Sequence, residues 1–134
     1  MDRSAPSELL IRQRLRVLDK HLPLAAKGDV EALHQTRVAS RRLREALPLV
    51  AAGARGRRLR RQVRKIMQAL GPVRDLDVAL QILDEVEQAG ETSRSAVARL
   101  RQAVSRERQM LHADMQRRLE ACDLARLRKR ALDA

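Results

Sequence analysis

The sequence predicts an all-α protein, an antiparallel bundle of four to six helices, and three observations support this fold class. Apolar residues recur at spacings of three and four along most of the chain, which is the period of an amphipathic helix. The chain has 21 leucines and no phenylalanine, tyrosine or tryptophan, so its core must be aliphatic, a composition that favours packed helices. Proline and glycine residues divide the periodic stretches into segments of helical length. With 134 residues, the chain is expected to form a single domain, residues 1–134.

Capping residues and prolines mark the first two helices. Residues 1–6 are expected to form a short flexible lead, after which Ser7 caps the first helix. Pro23 is expected to end that helix. Asp29 is expected to be the N-cap of the second helix, and Pro48 should kink that helix or end it.

Three longer helices and one short helix are expected in the rest of the chain. The third covers residues 57–70 and is closed by Gly71-Pro72, and the fourth covers residues 73–88. The fifth runs over residues 93–121, and Asp123 caps a short last helix. The expected buried residues of the fifth helix are Val97, Leu100, Val104, Leu111, Met115 and Leu119, and those of the last helix are Leu124, Leu127 and Leu132.

Charge is large and unevenly distributed. The net charge is +12, and 25 of the 29 basic residues are arginine, whose planar fork pairs bidentately with phosphate. Residues 30–74 carry twelve basic and two acidic side chains, a net charge of +10. Residues 75–93 carry six acidic and no basic side chains, and residues 94–134 carry eleven basic and five acidic ones. This balance predicts an anionic partner that binds the second and third helices.

A line of four basic side chains runs along the second helix. His34, Arg37, Arg41 and Arg44 are spaced i, i+3, i+7 and i+10, so they lie beside the apolar face on one line about 15 Å long. A charged line of this kind is commonly only a solvated helix face. Here only Glu45 is close enough to neutralise it, and this favours a long, densely anionic ligand.

Two further groups of basic residues extend this hypothesis. On the third helix, Arg60, Arg64 and Lys65 are candidates because of their charge and position. On the fifth helix, one line could form the opposite wall of a cationic groove, although a solvated face is an equal alternative. That line consists of Arg101, Ser105, Arg108 and His112.

The sequence offers no catalytic machinery. Asp75 and Asp77 are two residues apart on a helix, so they diverge by about 200° and are interpreted as dipole-stabilising groups in the first turn of the fourth helix. The chain has no phosphate-binding glycine loop, no Ser/His/Asp set and no cluster of metal ligands. We therefore expect no enzyme activity, no metal and no cofactor.

Cysteine content and hydropathy bear on location. Cys122 is the single cysteine, which rules out a disulfide within one chain and fits a reducing cytoplasm. No apolar run approaches the roughly 18 residues of a membrane span, and the N-terminus lacks the apolar segment of a signal peptide. A cytoplasmic protein without a membrane partner is expected.

Two motifs resemble those of the CHAD family, the conserved histidine α-helical domain. The first is His34-x-x-Arg37-x-x-x-Arg41-Arg42-Leu43-Arg44, and the second is Leu70-Gly71-Pro72-Val73-Arg74-Asp75-Leu76-Asp77-Val78. The resemblance implies a helical bundle that binds inorganic polyphosphate through His and Arg or Lys side chains, and association with polyphosphate granules. The binding residues it implies are His34, Arg37, Arg41, Arg42, Arg44 and Arg74.

The expected function is therefore polyphosphate binding without catalysis, and the alternative is a basic nucleic-acid-binding or architectural helical protein. The absence of aromatic residues argues against single-strand stacking, and no recognition-helix motif stands out. The resembling family has two similar helical halves, and the motifs here match only the first. A homodimer, which would place two copies of the basic line near one another, is expected for this reason.

Overall fold

A computed structural model describes the backbone of residues 4–50 and 53–122, and the side chains of residues 9–49 and 53–122. These residues form four α-helices: α1 (Ser4–Ala26), α2 (Val30–Val50), α3 (Ala54–Ala89) and α4 (Arg94–Ala121). Short connections make successive helices antiparallel, and each packs mainly on the next along the chain. The all-α prediction is confirmed, with the number of helices at the lower end of the predicted range. None of the described helices is both long and apolar enough to cross a membrane.

The helix α1 is longer than predicted at both ends. It begins at Ser4, so the flexible lead is wrong for residues 4–6, and it continues past Pro23 to Ala26. What ends it is Gly28, whose φ of 93° is accessible to a residue without a side chain. The N–H of Gly28 donates to the carbonyl of Ala25 at 2.9 Å, and the N–H of Asp29 donates to that of Leu24 at 3.1 Å. This is the Schellman pattern, which satisfies the last carbonyls of the helix.

The start of α2 follows directly from this turn, as predicted. The backbone N–H of Ala32 donates to Oδ1 of Asp29 at 3.2 Å, which confirms Asp29 as the capping residue. The helix then runs two residues past Pro48 and ends at Val50. Its buried side, which includes Leu33, Leu43 and Leu47, faces the core.

The helix α3 is continuous through Gly71-Pro72, and the prediction of two separate helices there is wrong. A proline inside a helix lacks an N–H donor and crowds the carbonyl four residues earlier. Leu70 and Val73, on either side of the Gly-Pro pair, are fully buried, and their burial offsets this cost. The buried stripe Ile66, Leu70, Val73 and Asp77 keeps spacings of four, three and four across the Gly-Pro pair, so a break would take the second half out of phase with the core.

The bounds of α4 agree closely with the prediction, and Val97, Met115 and Leu119 are buried as expected. Leu100 is not: it is 54% exposed. The short last helix with Leu124, Leu127 and Leu132 was predicted for residues that lie outside the described part of the chain. The main core is aliphatic and comes from all four helices, again as expected.

Candidate anion-binding face

The basic line of α2 lies at the edge of the buried side of that helix. Thr36 and Ser40, which share its flank, are fully buried, and Thr36 donates its hydroxyl to the carbonyl of Ala32 at 2.7 Å. His34 and Arg44 are half-buried, whereas Arg41 is exposed. The line therefore combines side chains that the core holds in place with others that extend into solvent.

An interhelical ion pair shows where this line lies relative to α3. Nη1 of Arg37 is 4.0 Å from Oδ1 of Asp75, with the Arg37 side chain 33% exposed and the Asp75 side chain 79% exposed. The Nε of Arg37 is buried and has no hydrogen-bond partner within residues 9–49 and 53–122. The basic line of α2 thus faces the side of α3 that carries Asp75, and Arg37 retains an unused donor there.

The same side of α3 carries two exposed arginines. Arg60, Arg64 and Asp75 are separated by four and eleven residues, so they lie on one line of the helix. Because Asp75 on that line contacts Arg37 of α2, we infer that Arg60 and Arg64 lie on the side of α3 toward α2 as well. Arg74 is half-buried and adjoins Asp75, near one end of this line. The arginines of α3 and the basic line of α2 therefore border one surface, which we call the α2–α3 face.

Little negative charge lies on the α2–α3 face. Arg41 forms an exposed ion pair with Glu45 at 3.2 Å, a contact of the kind that contributes little to stability. In the described part of the chain, no carboxylate lies within 4.0 Å of His34, Arg44, Arg60 or Arg64. The positive charge of these four residues is therefore not neutralised by an ion pair within the described part of the chain.

Several acidic side chains of α3 are neutralised by α4 instead. Arg101 donates to Asp84 at 2.8 Å and to Glu87 at 2.5 Å. The hydrogen bond that Arg101 donates to Glu87, followed by the one it donates to Asp84, holds the pKa of Arg101 above its usual value, so the guanidinium stays charged. The acidic flank consequently leaves the α2–α3 face cationic.

Three predicted binding residues lie away from this face. Arg42 is exposed but follows Arg41 directly, so it is turned by about 100° from the basic line. Burial raises the pKa of the Cys122 thiol, and the charge of Lys65 opposes this rise, so Lys65 lies on the α4 flank of its helix. Arg108 lies between α3 and α4. A binding role for these three residues stays a prediction. The geometry does not put any of them on the α2–α3 face.

Arg108 belongs to a polar contact that links three elements. Its Nε donates to Oδ1 of Asp77 at 2.5 Å, and its Nη2 donates to the carbonyl of Gly28 at 2.7 Å. His112 packs against Gly28, where an added Cβ would lie 2.9 Å from the His112 Nε2 atom. The line from Arg101 to His112 therefore lies along the contact with α3 and the α1–α2 turn, rather than along the opposite wall of a groove.

Sequence reasoning missed the part played by the two aspartates. Asp75 and Asp77 lie in the middle of α3, so their interpretation as first-turn dipole groups is wrong. Asp75 is exposed beside Arg37, and the Asp77 side chain is 1% exposed and pairs with Arg108. The available signal was periodicity, because Asp77 continues the apolar stripe seven residues after Leu70.

No group of three or more His, Cys, Asp or Glu side chains among the described residues is placed to hold a metal ion.

Comparison with known proteins gives one match. Searches of curated proteins and of solved structures find no match to the chain. The family model described as CHAD domain matches residues 9–134, which is nearly the whole chain. A helical bundle with this match over almost its full length belongs to the CHAD domain family.

Proposed function

We propose that this protein binds inorganic polyphosphate along the α2–α3 face, as a binding module and not as an enzyme. The observation that carries the proposal is the Arg37–Asp75 ion pair, because it joins the basic line of α2 to a side of α3 that also carries Arg60 and Arg64. Membership of the CHAD family supports it, since that family is associated with polyphosphate-related proteins.

The chemistry of the face suits a flexible chain of phosphates. Guanidinium groups donate in a planar fork that matches phosphate oxygens, so successive arginines can hold successive phosphates. The buried Nε of Arg37 has no hydrogen-bond partner among the described residues, and its ion pair with Asp75 is long at 4.0 Å, so a phosphate oxygen can take up this donor. Arg41 can exchange its exposed contact with Glu45 for phosphate at little cost.

Location and competing ligands follow from the same proposal. A polyphosphate-binding protein of the cytoplasm would be held on polyphosphate granules, and we extend the proposal to that location. The competing function is nucleic-acid binding, because charge alone attracts any polyanion. A regular duplex has fixed phosphate positions, whereas a flexible polyphosphate chain can adapt to arginines on two helices.

The proposal is tested by titrating the full chain with long-chain polyphosphate, duplex DNA and single-stranded RNA at the same salt concentration. We expect polyphosphate to bind most tightly. Replacing Arg60 and Arg64 together with glutamate should weaken that binding at least about tenfold, because two contacts become repulsive. The matched control is the same double replacement at Arg117 and Arg118, which are exposed on α4 and contact Asp114. Tighter binding of DNA or RNA, or equal losses in the two variants, would contradict the proposal.

A further inference from the structure

Beyond Asp77 and Arg108, the helices α3 and α4 continue past the rest of the bundle. Arg108 reaches the carbonyl of Gly28, so the turn between α1 and α2 is level with the Asp77–Arg108 ion pair. Past that level α3 runs on to Ala89, about 18 Å farther, and α4 returns from Arg94. We call residues 78–107 the projecting hairpin.

Burial agrees with this geometry. Asp77 is the last buried residue of α3, and Val97 is the only buried residue of the projecting hairpin. Val97 is also separate from the main core cluster. The hairpin is therefore held together mainly by the contact of its own two helices.

The projecting hairpin exposes apolar side chains in an ordered pattern. Val78, Ile82 and Val86 are spaced four residues apart and form one line along α3. Val78 is 37% exposed, Ile82 is 53% exposed and Val86 is half-buried, while Leu100 of α4 is 54% exposed. A line of this kind on a helix is typical of a surface that packs against another helix.

The charge of the hairpin separates it from the rest of the protein. It holds five acidic and four basic side chains, a net charge of −1 in a chain whose net charge is +12. Three acids and three arginines in it have no ion-pair partner in their own chain among the described residues: Glu85, Glu91, Glu107, Arg94, Arg99 and Arg106. Two copies that met through the cationic remainder of the chain would repel each other strongly. Two hairpins would repel each other less, because each carries equal numbers of unpaired charges of each sign.

We propose that two copies of this chain associate through their projecting hairpins about a two-fold axis, with Ile82 in the contact. Each α3 line would pack against the partner's hairpin, and the two hairpins would together form a four-helix unit. Unpaired acids of one copy would meet unpaired arginines of the other. Moderate salt should strengthen the dimer, because it screens repulsion between the cationic bodies. This inference does not depend on which anion the α2–α3 face binds.

The test is the oligomeric state of the full chain and two variants, measured by light scattering with gel filtration and by sedimentation over a concentration series. Ile82→Glu should weaken the dimer at least about tenfold, since it places a charge in the apolar contact. The matched control is Leu24→Glu on α1, which is 52% exposed in the folded chain and lies outside the hairpin, and it should leave the dimer unchanged. A wild-type monomer at high micromolar concentration in moderate salt, or equal weakening by both variants, would overturn the proposal.

A second measurement locates the contact directly. In the variant Ile82→Cys, oxidation should produce a disulfide-linked dimer, because a two-fold axis near residue 82 brings the two thiols together. The wild-type chain is the control, since its own Cys122 is buried. Circular dichroism verifies that Ile82→Glu, Leu24→Glu and Ile82→Cys keep their helices. A dimer that persists without any cross-link through residue 82 would show that the hairpin line is not the interface.

Discussion

Asp77 of α3 and Arg108 of α4 lie 31 residues apart in the sequence and form an ion pair, with 2.5 Å between Oδ1 and Nε. The Asp77 side chain is 1% exposed, and the same guanidinium also donates to the carbonyl of Gly28. One arginine thus connects α3, α4 and the turn from which α2 starts. Since Asp29 in that turn caps α2, this contact helps to fix where the basic line of α2 begins.

Removing the charge of Asp77 should destabilise the protein strongly. In Asp77→Asn, Arg108 keeps a largely buried charge without its counter-ion, and breaking a buried pair in this way costs about 3 kcal/mol or more. Urea unfolding measures this loss. The control is Asp75→Asn on the same helix, where the exposed side chain and the 4.0 Å contact predict a change below about 0.5 kcal/mol. Similar losses in the two variants would show that the buried pair has no special weight.

The continuity of α3 makes a second prediction, at Gly71. This residue has no positive φ. Apart from its two chain neighbours and the backbone of its own helix, no described atom lies within 4 Å of a Cβ added to it. Gly71→Ala should therefore stabilise the protein by at most about 0.5–1 kcal/mol, the gain for alanine over glycine inside a helix, because crowding of the new Cβ by the Pro72 ring reduces that gain. Gly28→Ala is the opposite control, since its φ is 93° and its added Cβ would lie 2.9 Å from His112, so it should destabilise. Destabilisation by Gly71→Ala as large as that by Gly28→Ala would favour a break at Gly71-Pro72.

These cases show which features the sequence could predict. Asp29 as a cap and the basic line of α2 depend on residues close together in the chain, and the structure places both as local rules require. The bounds of α1 and α3 were missed because a proline penalty was weighed locally, while burial of Leu70 and Val73 from other helices outweighs it. The role of Asp77 was missed because its partner is 31 residues away.

The α2–α3 face could be predicted only in part, because the sequence shows local patterns but not contacts between distant residues. Periodicity identified His34, Arg37, Arg41 and Arg44 as one line. It could not separate Arg64 from its neighbour Lys65, because that depends on which sides of α3 the helices α2 and α4 pack against. Residues adjacent in the sequence diverge by about 100° on a helix, so charge density alone overestimates a site.

His34 should contribute to polyphosphate binding in a pH-dependent way. Only the protonated imidazole adds positive charge, so His34→Ala should weaken binding more near pH 6 than near pH 8. Titrations at the two pH values measure the difference. His21→Ala on α1 is the control, and it should show no such dependence because its helix is not part of the face. A loss that is the same at both pH values would indicate neutral hydrogen bonding or packing by His34.

Binding should also weaken steeply with salt. If the arginines of the α2–α3 face contact phosphates, their binding releases counterions, and affinity should fall roughly a hundredfold between about 50 and 200 mM salt. Arg60→Ala should reduce the slope of log affinity against log salt by about one, because it removes one contact. A slope near zero in the wild-type protein would contradict binding through these ion contacts.

The most direct test of the account is polyphosphate affinity after charge reversal within the basic line of α2. Replacing Arg37 and Arg41 together with glutamate should weaken binding well beyond about tenfold, because both residues are on the α2–α3 face and a reversed charge repels phosphate. The same replacement of Arg117 and Arg118 changes the net charge equally but lies on α4, and it should cause a much smaller loss. Circular dichroism should show intact helices in both. Equal losses in the two variants would contradict the account, since bulk charge rather than this face would then bind the ligand.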